Sequence, residues 1–165
     1  MSADPTKIEI DFDPTSKRMV GTARHGDTPF DVPFISQIEG NLWQGGCEDG
    51  LVLPTYIKHL ISLYSWEAYT VTHELSSALE LRMYDSEDQA FDQVDAIAAW
   101  VKSCVADGPT LVHCQAGLNR SSLIAGRVLT MGGMEGRDAV KLLRERRSTA
   151  CLCNPSFERW LRAAA

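Results

Sequence analysis

A nine-residue segment, HCQAGLNRS, spans residues 113–121 and constrains the fold of this chain more than any other stretch. It follows an apolar run, TLV at 110–112, and precedes a stretch of helical character over 122–131. This order predicts a buried strand, a tight loop and a helix. Such a loop turns its backbone N–H groups inward, and the helix N-terminus adds the positive end of its dipole. The segment therefore predicts a cradle for a tetrahedral anion.

Cys114 stands at the mouth of this predicted cradle, where the field that binds phosphate also stabilises a thiolate. The pKa of a free cysteine is about 8.5, and electropositive sites lower it to roughly 3.5–7.5. Arg120 closes the loop with a planar fork that can bind two phosphate oxygens at once. Gly117 permits a tight bend or a close approach to the ligand, and Ser121 can donate a hydrogen bond towards the sulfur. A cysteine that is merely packed in the core does not require Arg120, Gly117 and Ser121 at these spacings.

The string HCQAGLNRS resembles the signature of the cysteine-dependent protein tyrosine phosphatases, which is His-Cys, five residues, Arg and then Ser or Thr. The short chain is similar to the dual-specificity branch of that superfamily, over about residues 35–162. The resemblance implies that Cys114 is the nucleophile and that Arg120 and Ser121 are also catalytic. It further implies a substrate-binding loop made of Gln115, Ala116, Gly117, Leu118, Asn119 and Arg120. Neither a cofactor nor a metal ion is implied.

In the resembled family a general acid lies some thirty residues before the nucleophile, after a strand and before a helix. The matching segment here is MYDSED at 83–88, and Asp85 is the first candidate for this acid. Asp88 is the second candidate and Asp92 the third. A positioned acid contributes roughly 10²–10⁴ in rate. The alternative is that these acids only favour the dipole of the following helix, which suits Glu87 and Asp88 better than Asp85.

Strand-like and helix-like segments alternate along the chain. They predict an α/β fold with a central, mostly parallel sheet of four to five strands flanked by helices. Ligands of such sheets bind beyond the carboxyl ends of the strands, where Cys114 falls. The predicted strands lie near 34–38, 41–44, 60–63, 79–83 and 110–112, and the predicted helices near 55–60, 89–105, 122–131, 139–147 and 155–161. Ser86 and Gln89 are spaced as a capping box, and Asn154 before Pro155 is typical of a helix start.

Residues 1–33 contain four prolines, two glycines and many aspartates and threonines, which predict an extended N-terminal arm. Apolar and acidic residues alternate over Ile8–Phe12, so this part of the arm could be a short edge strand. Residues 34–165 are expected to form a single phosphatase catalytic domain.

Composition limits the classes of binding partner and the cellular compartment expected for this chain. The net charge of −6 argues against nucleic acid, which usually binds a basic face. The first residues do not resemble a secretory signal, and the longest apolar run, 96–101, is too short to span a bilayer. Five cysteines form an odd set without framework or zinc spacing, which indicates a reducing cytoplasmic setting and no metal site. The expected partner is a phosphorylated protein or peptide, with no membrane, and the oligomeric state stays open.

The leading hypothesis for the substrate is phosphotyrosine, together with phosphoserine or phosphothreonine. The loop residues carry no positive charge besides Arg120, which disfavours inositol lipids, because the enzymes that hydrolyse them resemble this loop with added lysines. Asn119 before Arg120 also occurs in the RNA 5′-phosphatase branch, which is the alternative enzyme. A third hypothesis is a phosphate-binding module without turnover.

Several further residues have two candidate roles each. His113 could orient the loop or carry protons, and Asn154 could contact the loop in addition to capping a helix. A neighbouring thiol could form a protective disulfide with an oxidised Cys114, the candidates being Cys47, Cys151 and Cys153. The arginines at 144, 146 and 147 could bind a second phosphate, but a solvated helix end is the preferred interpretation.

Overall fold

The computed structural model describes residues 8–13, 15–23, 28–86 and 88–164. Along these residues the elements follow in the order β1 (Ile8–Asp13), β2 (Arg18–Ala23), β3 (Thr28–Pro33), β4 (Ile35–Glu39), β5 (Leu42–Gly45), β6 (His59–Ser62), β7 (Ser77–Glu80), α1 (Phe91–Asp107), β8 (Thr110–His113), α2 (Arg120–Met131), α3 (Gly136–Arg146) and α4 (Pro155–Ala163). None of the helices in this described part is long and apolar enough to cross a membrane.

A five-stranded sheet with the order β4-β5-β8-β6-β7 forms the centre of the molecule. Only the β4–β5 pair is antiparallel among its pairings, and β5, β8, β6 and β7 run parallel to one another. The predicted α/β fold with a mostly parallel sheet flanked by helices is confirmed. On β8, Val112 faces the main core, and Leu111 faces a second core with Leu53, Ile57 and Tyr69. Because both faces of the sheet are buried, the middle residues of β6 and β8 are apolar, Leu60–Ile61 and Leu111–Val112.

The helices match the sequence pattern with local exceptions. The predicted helix over 55–60 is a turn, because the N–H groups of Lys58 and His59 both donate to the Pro109 carbonyl, at 2.8 and 3.2 Å, and lead the chain into β6. The predicted capping box at Ser86 and Gln89 is wrong. The N-cap of α1 is Ala90, without a side-chain cap, and the Gln89 side chain has a different role described below.

The N-terminal segment differs from the extended arm that its composition suggests. β1, β2 and β3 form a three-stranded antiparallel sheet, and β1 confirms the strand expected at Ile8–Phe12. Alternate side chains of this sheet enter the main core, since Met19 and Val32 are buried and the Phe12 ring stacks on Phe34 at 5.7 Å. Buried and exposed positions alternate along most of β3, and Met19 on β2 is buried between two exposed neighbours, as in strands with one face on the core. Residues 1–7, 14 and 24–27 of the expected arm lie outside the described residues.

The parallel strands place three chain ends at one edge of the sheet. Gly45 and Ser62, the last residues of β5 and β6, both lie in register with His113 at the end of β8. The N-terminal sheet reaches the same edge, because a Cβ on Gly46 would collide with the Met19 side chain and the Gln115 carbonyl. The segment after His113 therefore begins between the ends of β5 and β6, and Gly46 lies between this segment and the N-terminal sheet.

Candidate active site

The loop of residues 114–119 joins β8 to α2 and turns its carbonyl groups away from its centre. Each carbonyl from 115 to 118 accepts a hydrogen bond from outside the loop: Gln115 from Cys47 N at 2.9 Å, Ala116 from Arg147 Nη2 at 3.2 Å, Gly117 from Arg147 Nε at 2.6 Å, and Leu118 from Leu152 N at 2.8 Å. Within the described residues, the backbone N–H groups of 115–119 have no acceptor. A concave set of unpaired N–H groups at a helix N-terminus is an anion-binding arrangement.

Cys114, Ser121 and Arg120 meet at this loop. The Cys114 side chain is buried, and its Sγ lies 3.3 Å from Ser121 Oγ. The Arg120 guanidinium carbon lies 5.3 Å from the centre of the Tyr64 ring. Arg120 Nε is buried, and it finds no hydrogen-bond partner in the part of the chain that is described. Because a buried donor without an acceptor costs free energy, this atom suits an oxygen supplied by a ligand.

Gly117 occupies a position that excludes a side chain. Its φ is +72°, and a Cβ there would collide with the backbone of Gly45 and with the Arg147 guanidinium. The sequence-based requirement for glycine at this position therefore has two physical causes, the left-handed backbone and the close approach of β5.

Gln44 on β5 is a loop contact that the sequence analysis missed. Its Nε2 donates to the Gly117 carbonyl at 3.0 Å, and it lies 3.1 Å from Ser121 Oγ and 2.5 Å from Ser122 Oγ. The available signal in the sequence was a glutamine within a predicted strand. Gln44 is fully buried in the structure, and a buried amide needs hydrogen-bond partners.

Arg147 is the second missed residue, and the solvated helix end preferred for it is wrong. It is buried, and its guanidinium donates to the carbonyls of Ala116 and Gly117 and also to acceptors at Pro33 O, Phe34 O, Ser36 Oγ and Gln44 O. None of these partners is a carboxylate. Burial lowers the pKa of this guanidinium, but arginine remains charged at neutral pH. The sequence did carry a signal that Arg147 is buried. It lies four residues after Leu143 and therefore continues the apolar face of α3.

His113 ties the loop to β6. Its Nδ1 lies 3.3 Å from the Cys114 carbonyl and its Nε2 lies 2.7 Å from Ser62 Oγ. Because a carbonyl can only accept, the proton of a neutral imidazole sits on Nδ1, and Ser62 donates to Nε2. Burial lowers the pKa of His113 to about 4, with the Cys114 hydrogen bond opposing and Arg120 adding to the effect. The neutral ring favours the structural reading of His113 over proton transfer.

This pKa predicts a pH dependence of stability. Between pH 6.5 and about 4 the unfolded chain binds a proton on His113 that the folded chain does not. The free energy of unfolding is therefore expected to fall by up to about 3 kcal/mol as the pH drops through this window, and this contribution is constant above it. Urea denaturation at pH 7.5 and pH 5 measures the change, and His113→Gln should flatten it. Equal pH slopes in both proteins would contradict the assignment.

Asp85 is the predicted acid that the structure brings to the loop. Its carboxylate accepts from the Asn119 and Asn154 side-chain amides, each at 3.1 Å. Asp88 and Asp92 are exposed, the latter in the first turn of α1. Asp85 and Arg120 line a cleft of about 170 Å³ together with Leu63, Tyr64, Ser65, Trp66, Arg82, Met83 and Tyr84. Asn154 caps α4 through Ser156 N and Phe157 N, and its own backbone N–H donates to Asn119 Oδ1 of the loop at 2.9 Å, so it has both of the roles expected for it.

Of the other cysteines near the site, Cys47 and Cys151 are buried and Cys153 is half-buried. Burial raises the pKa of Cys47 to about 12 and that of Cys153 to about 11. Burial also raises the pKa of Cys151. A protective disulfide with Cys114 stays a prediction. Among the described residues, no group of three or more His, Cys, Asp or Glu side chains is arranged to hold a metal ion.

A mostly parallel sheet that ends in a cysteine–arginine loop with inward N–H groups is the arrangement of a cysteine-dependent phosphatase. The family model described as dual specificity phosphatase, catalytic domain, matches residues 55–165. The chain therefore belongs to the dual-specificity phosphatase catalytic domain family, as its signature indicated.

Solved structures share this fold at low sequence identity. A mouse putative dual specificity phosphatase complexed with zinc tungstate is 18% identical, with a TM-score of 0.66 over 79% of this chain and 85% of that one. The human tyrosine phosphatase-like serine/threonine/tyrosine-interacting protein is 21% identical, with a TM-score of 0.64 over 78% of this chain and 93% of that one. The P. aeruginosa protein TpbA in complex with pTyr is 14% identical, with a TM-score of 0.58 over 97% and 91%. No curated protein sequence matches the chain.

Proposed function

We propose that this protein is a metal-independent phosphatase that hydrolyses phosphotyrosine, and also phosphoserine or phosphothreonine, through a phosphocysteine intermediate. The observation that carries the proposal is the loop that follows Cys114. The carbonyls of residues 115–118 are bonded outward, whereas the N–H groups of residues 115–119 and Arg120 Nε lack acceptors in the described chain. These donors follow the nucleophile Cys114 directly in the chain and can bind the three non-bridging oxygens of a phosphate ester.

In the first step the Cys114 thiolate attacks phosphorus from the side opposite the ester oxygen. The S–P bond forms as the P–O bond breaks, and the leaving oxygen takes its proton from Asp85. Arg120 and the loop N–H groups hold the three equatorial oxygens, where charge builds up in the transition state. The products are the alcohol or phenol, phosphocysteine and an ionised Asp85.

In the second step water attacks the phosphocysteine and gives a proton to the Asp85 carboxylate. The S–P bond breaks, inorganic phosphate leaves, and the thiolate and the protonated acid are restored. Ser121 Oγ, 3.3 Å from the sulfur, can donate a hydrogen bond to the departing thiolate. Arg120 is used in both steps.

The walls of the cleft support an aryl ester as one substrate. Tyr64, Trp66 and Tyr84 line it beside Arg120, and the rings of Trp66 and Tyr84 are exposed. A phenyl ring that enters the cleft can stack on these side chains. The structurally similar TpbA has been solved with pTyr. RNA 5′-phosphate is less favoured, because the Asn119 amide that suggested it is bonded to Asp85 and the net charge is −6.

The remaining expectations belong to the same proposal. Residues 34–165 are proposed as the catalytic unit, with the N-terminal sheet as its support. All five cysteines are unpaired, which supports a reducing, cytoplasmic setting for the phosphatase.

The substrate class is tested by comparing three esters in a buffer that contains a chelator. A phosphotyrosine peptide is expected to give the highest kcat/KM, with a phosphothreonine peptide slower and 5′-phosphorylated RNA slowest. Released phosphate is measured in each case. A higher kcat/KM for the RNA would show that the protein is an RNA 5′-phosphatase and not a protein phosphatase. Activity that disappears with the chelator would contradict metal independence.

The acid is tested with Asp85→Asn and esters that differ in leaving group. Phenyl phosphate needs a proton on its leaving oxygen, so its turnover should fall by roughly 10²–10⁴-fold. A nitrated aryl phosphate leaves without help and should lose far less. Asp88→Asn is the matched control, because Asp88 is exposed only three residues away. A selective loss in the control instead of in Asp85→Asn would reassign the acid.

A further inference from the structure

The Asp85 carboxylate is held at both oxygens by amides from two other parts of the chain. Asn119 Nδ2 donates to Oδ2 and Asn154 Nδ2 donates to Oδ1, each at 3.1 Å. Both asparagines are 1% exposed. Asn119 belongs to the phosphate-binding loop and directly precedes Arg120, and Asn154 begins α4. The acid is therefore attached to the loop that would hold its substrate.

Backbone groups fix the orientation of both amides. Asn119 Oδ1 accepts from the Asn154 backbone N–H at 2.9 Å, so its Nδ2 must face Asp85. Asn154 Oδ1 accepts from the N–H groups of Ser156 and Phe157 at 3.0 and 3.3 Å, which leaves its Nδ2 for Asp85. Backbone N–H groups can only donate, and exchanging O and N in either amide would break these bonds. Both contacts to Asp85 are therefore donations onto a carboxylate.

The chain next to Asp85 is held as well. The Tyr84 N–H donates to Gln89 Oε1 at 2.7 Å, and Gln89 is buried. This contact fixes the backbone one residue before the acid. The two amides then hold the Asp85 side chain towards the loop.

We propose that Asn119 and Asn154 are positioning residues, which hold the general acid at a fixed place relative to the phosphate-binding loop. The inference rests on the proposed function, in which Asp85 protonates the leaving group. A carboxyl group has about four lone-pair sites, so it can accept from an amide on each oxygen and still carry a proton. Asn119 thus acts through Asp85, in addition to its backbone contribution to the loop.

A double-mutant cycle tests this coupling. Asn119→Ala should lower kcat for phenyl phosphate by about 100-fold, the size expected for a misplaced catalytic group, and should leave the nitrated ester nearly unaffected. KM should change little for either ester. In the Asp85→Asn background, Asn119→Ala should cause almost no further loss, because the acid on which it acts is already absent. An equal loss for both esters, or a full loss in that background, would show that Asn119 acts only through the loop.

A second variant keeps the test open if Asn119→Ala does not fold. Asn154→Asp retains an oxygen that can cap α4 but replaces the amide that donates to Asp85. It should keep the thermal stability of the native protein and reproduce the loss selective for phenyl phosphate. A stable Asn154→Asp variant with native kinetics on both esters would show that Asn154 does not position Asp85. If Asp85→Asn slows both esters equally, Asp85 is not the general acid. If Asp85→Asn slows mainly phenyl phosphate but the asparagine variants do not, Asp85 is the acid and the asparagines do not position it.

Discussion

Cys114→Ser is expected to remove turnover of every phosphate ester while leaving the fold and phosphate binding intact. Serine keeps the size and hydrogen-bonding ability of the side chain, but its hydroxyl stays protonated where a thiol can ionise. Loss of a covalent nucleophile lowers kcat by on the order of 10³-fold or more. Released phosphate from an aryl ester measures the effect, and protection from thermal unfolding by added phosphate checks that the loop still binds.

Cys104→Ser is the matched control for this change. Cys104 is also buried, but it lies on α1 with its Sγ 3.7 Å from Ser77 Oγ, outside the loop. Its replacement should leave kcat/KM close to that of the native protein. Undiminished turnover in Cys114→Ser would refute the nucleophile, and absent turnover in the native protein would favour a phosphate-binding module.

Arg147→Met is expected to cause the second large loss, both in stability and in turnover. Methionine fills much of the same space but donates no hydrogen bond, so the carbonyls of Ala116 and Gly117 lose their Arg147 donors inside the protein. Each buried acceptor that loses its donor costs about 1–3 kcal/mol, so the summed loss is a large share of the roughly 5–15 kcal/mol that stabilises a domain. Urea denaturation measures the free energy of unfolding, and phosphate release measures activity.

Arg146→Met is the matched control, because Arg146 is the exposed neighbour of Arg147 on α3. It should change the free energy of unfolding by no more than about 0.5 kcal/mol. Arg147→Lys should fall between the two, since lysine keeps the charge but cannot reproduce the planar fork. Native stability and native kcat in Arg147→Met would show that the loop carbonyls do not depend on this guanidinium.

The charge of Arg147 also bears on the nucleophile. Its hydrogen-bond partners include no carboxylate, and burial raises the pKa of both Tyr69 and Cys151 nearby, so these two groups stay neutral. Cys114 is the other acidic group that interacts with Arg147 electrostatically. In the proposed mechanism, a thiolate at Cys114 would bring a negative charge to this buried cation.

The anion cradle was accessible from sequence because its parts are consecutive. A strand, a glycine-containing loop and a helix in that order specify the local backbone, and the positions of Cys114, Arg120 and Ser121 follow from it. Asp85 was accessible through the resemblance to the phosphatase family, in which the general acid lies between a strand and a helix before the nucleophile. The loop itself needed only local structure and the rule that ligands bind beyond the carboxyl ends of parallel strands.

The N-terminal sheet shows where composition misleads. Prolines and glycines suggested an arm, although Met19 and Val32 contribute buried side chains to the main core. Pro29 and Pro33 are tolerated within β3, which pairs with β2 alone in the three-stranded sheet. Whether such strands pack depends on the surface they meet, and local composition does not report that surface.

The sequence by itself determined the phosphate-binding loop, its nucleophile candidate and the mostly parallel sheet, because short-range order and apolar periodicity encode them. Only the tertiary structure decided which groups support the loop. Arg147 bonds to a carbonyl 30 residues away and Asn119 to a carboxylate 34 residues away. A hydrophobic pattern specifies which faces are buried, but a buried polar group takes its role from the partners that folding brings within hydrogen-bonding distance, and those partners are distant in the chain.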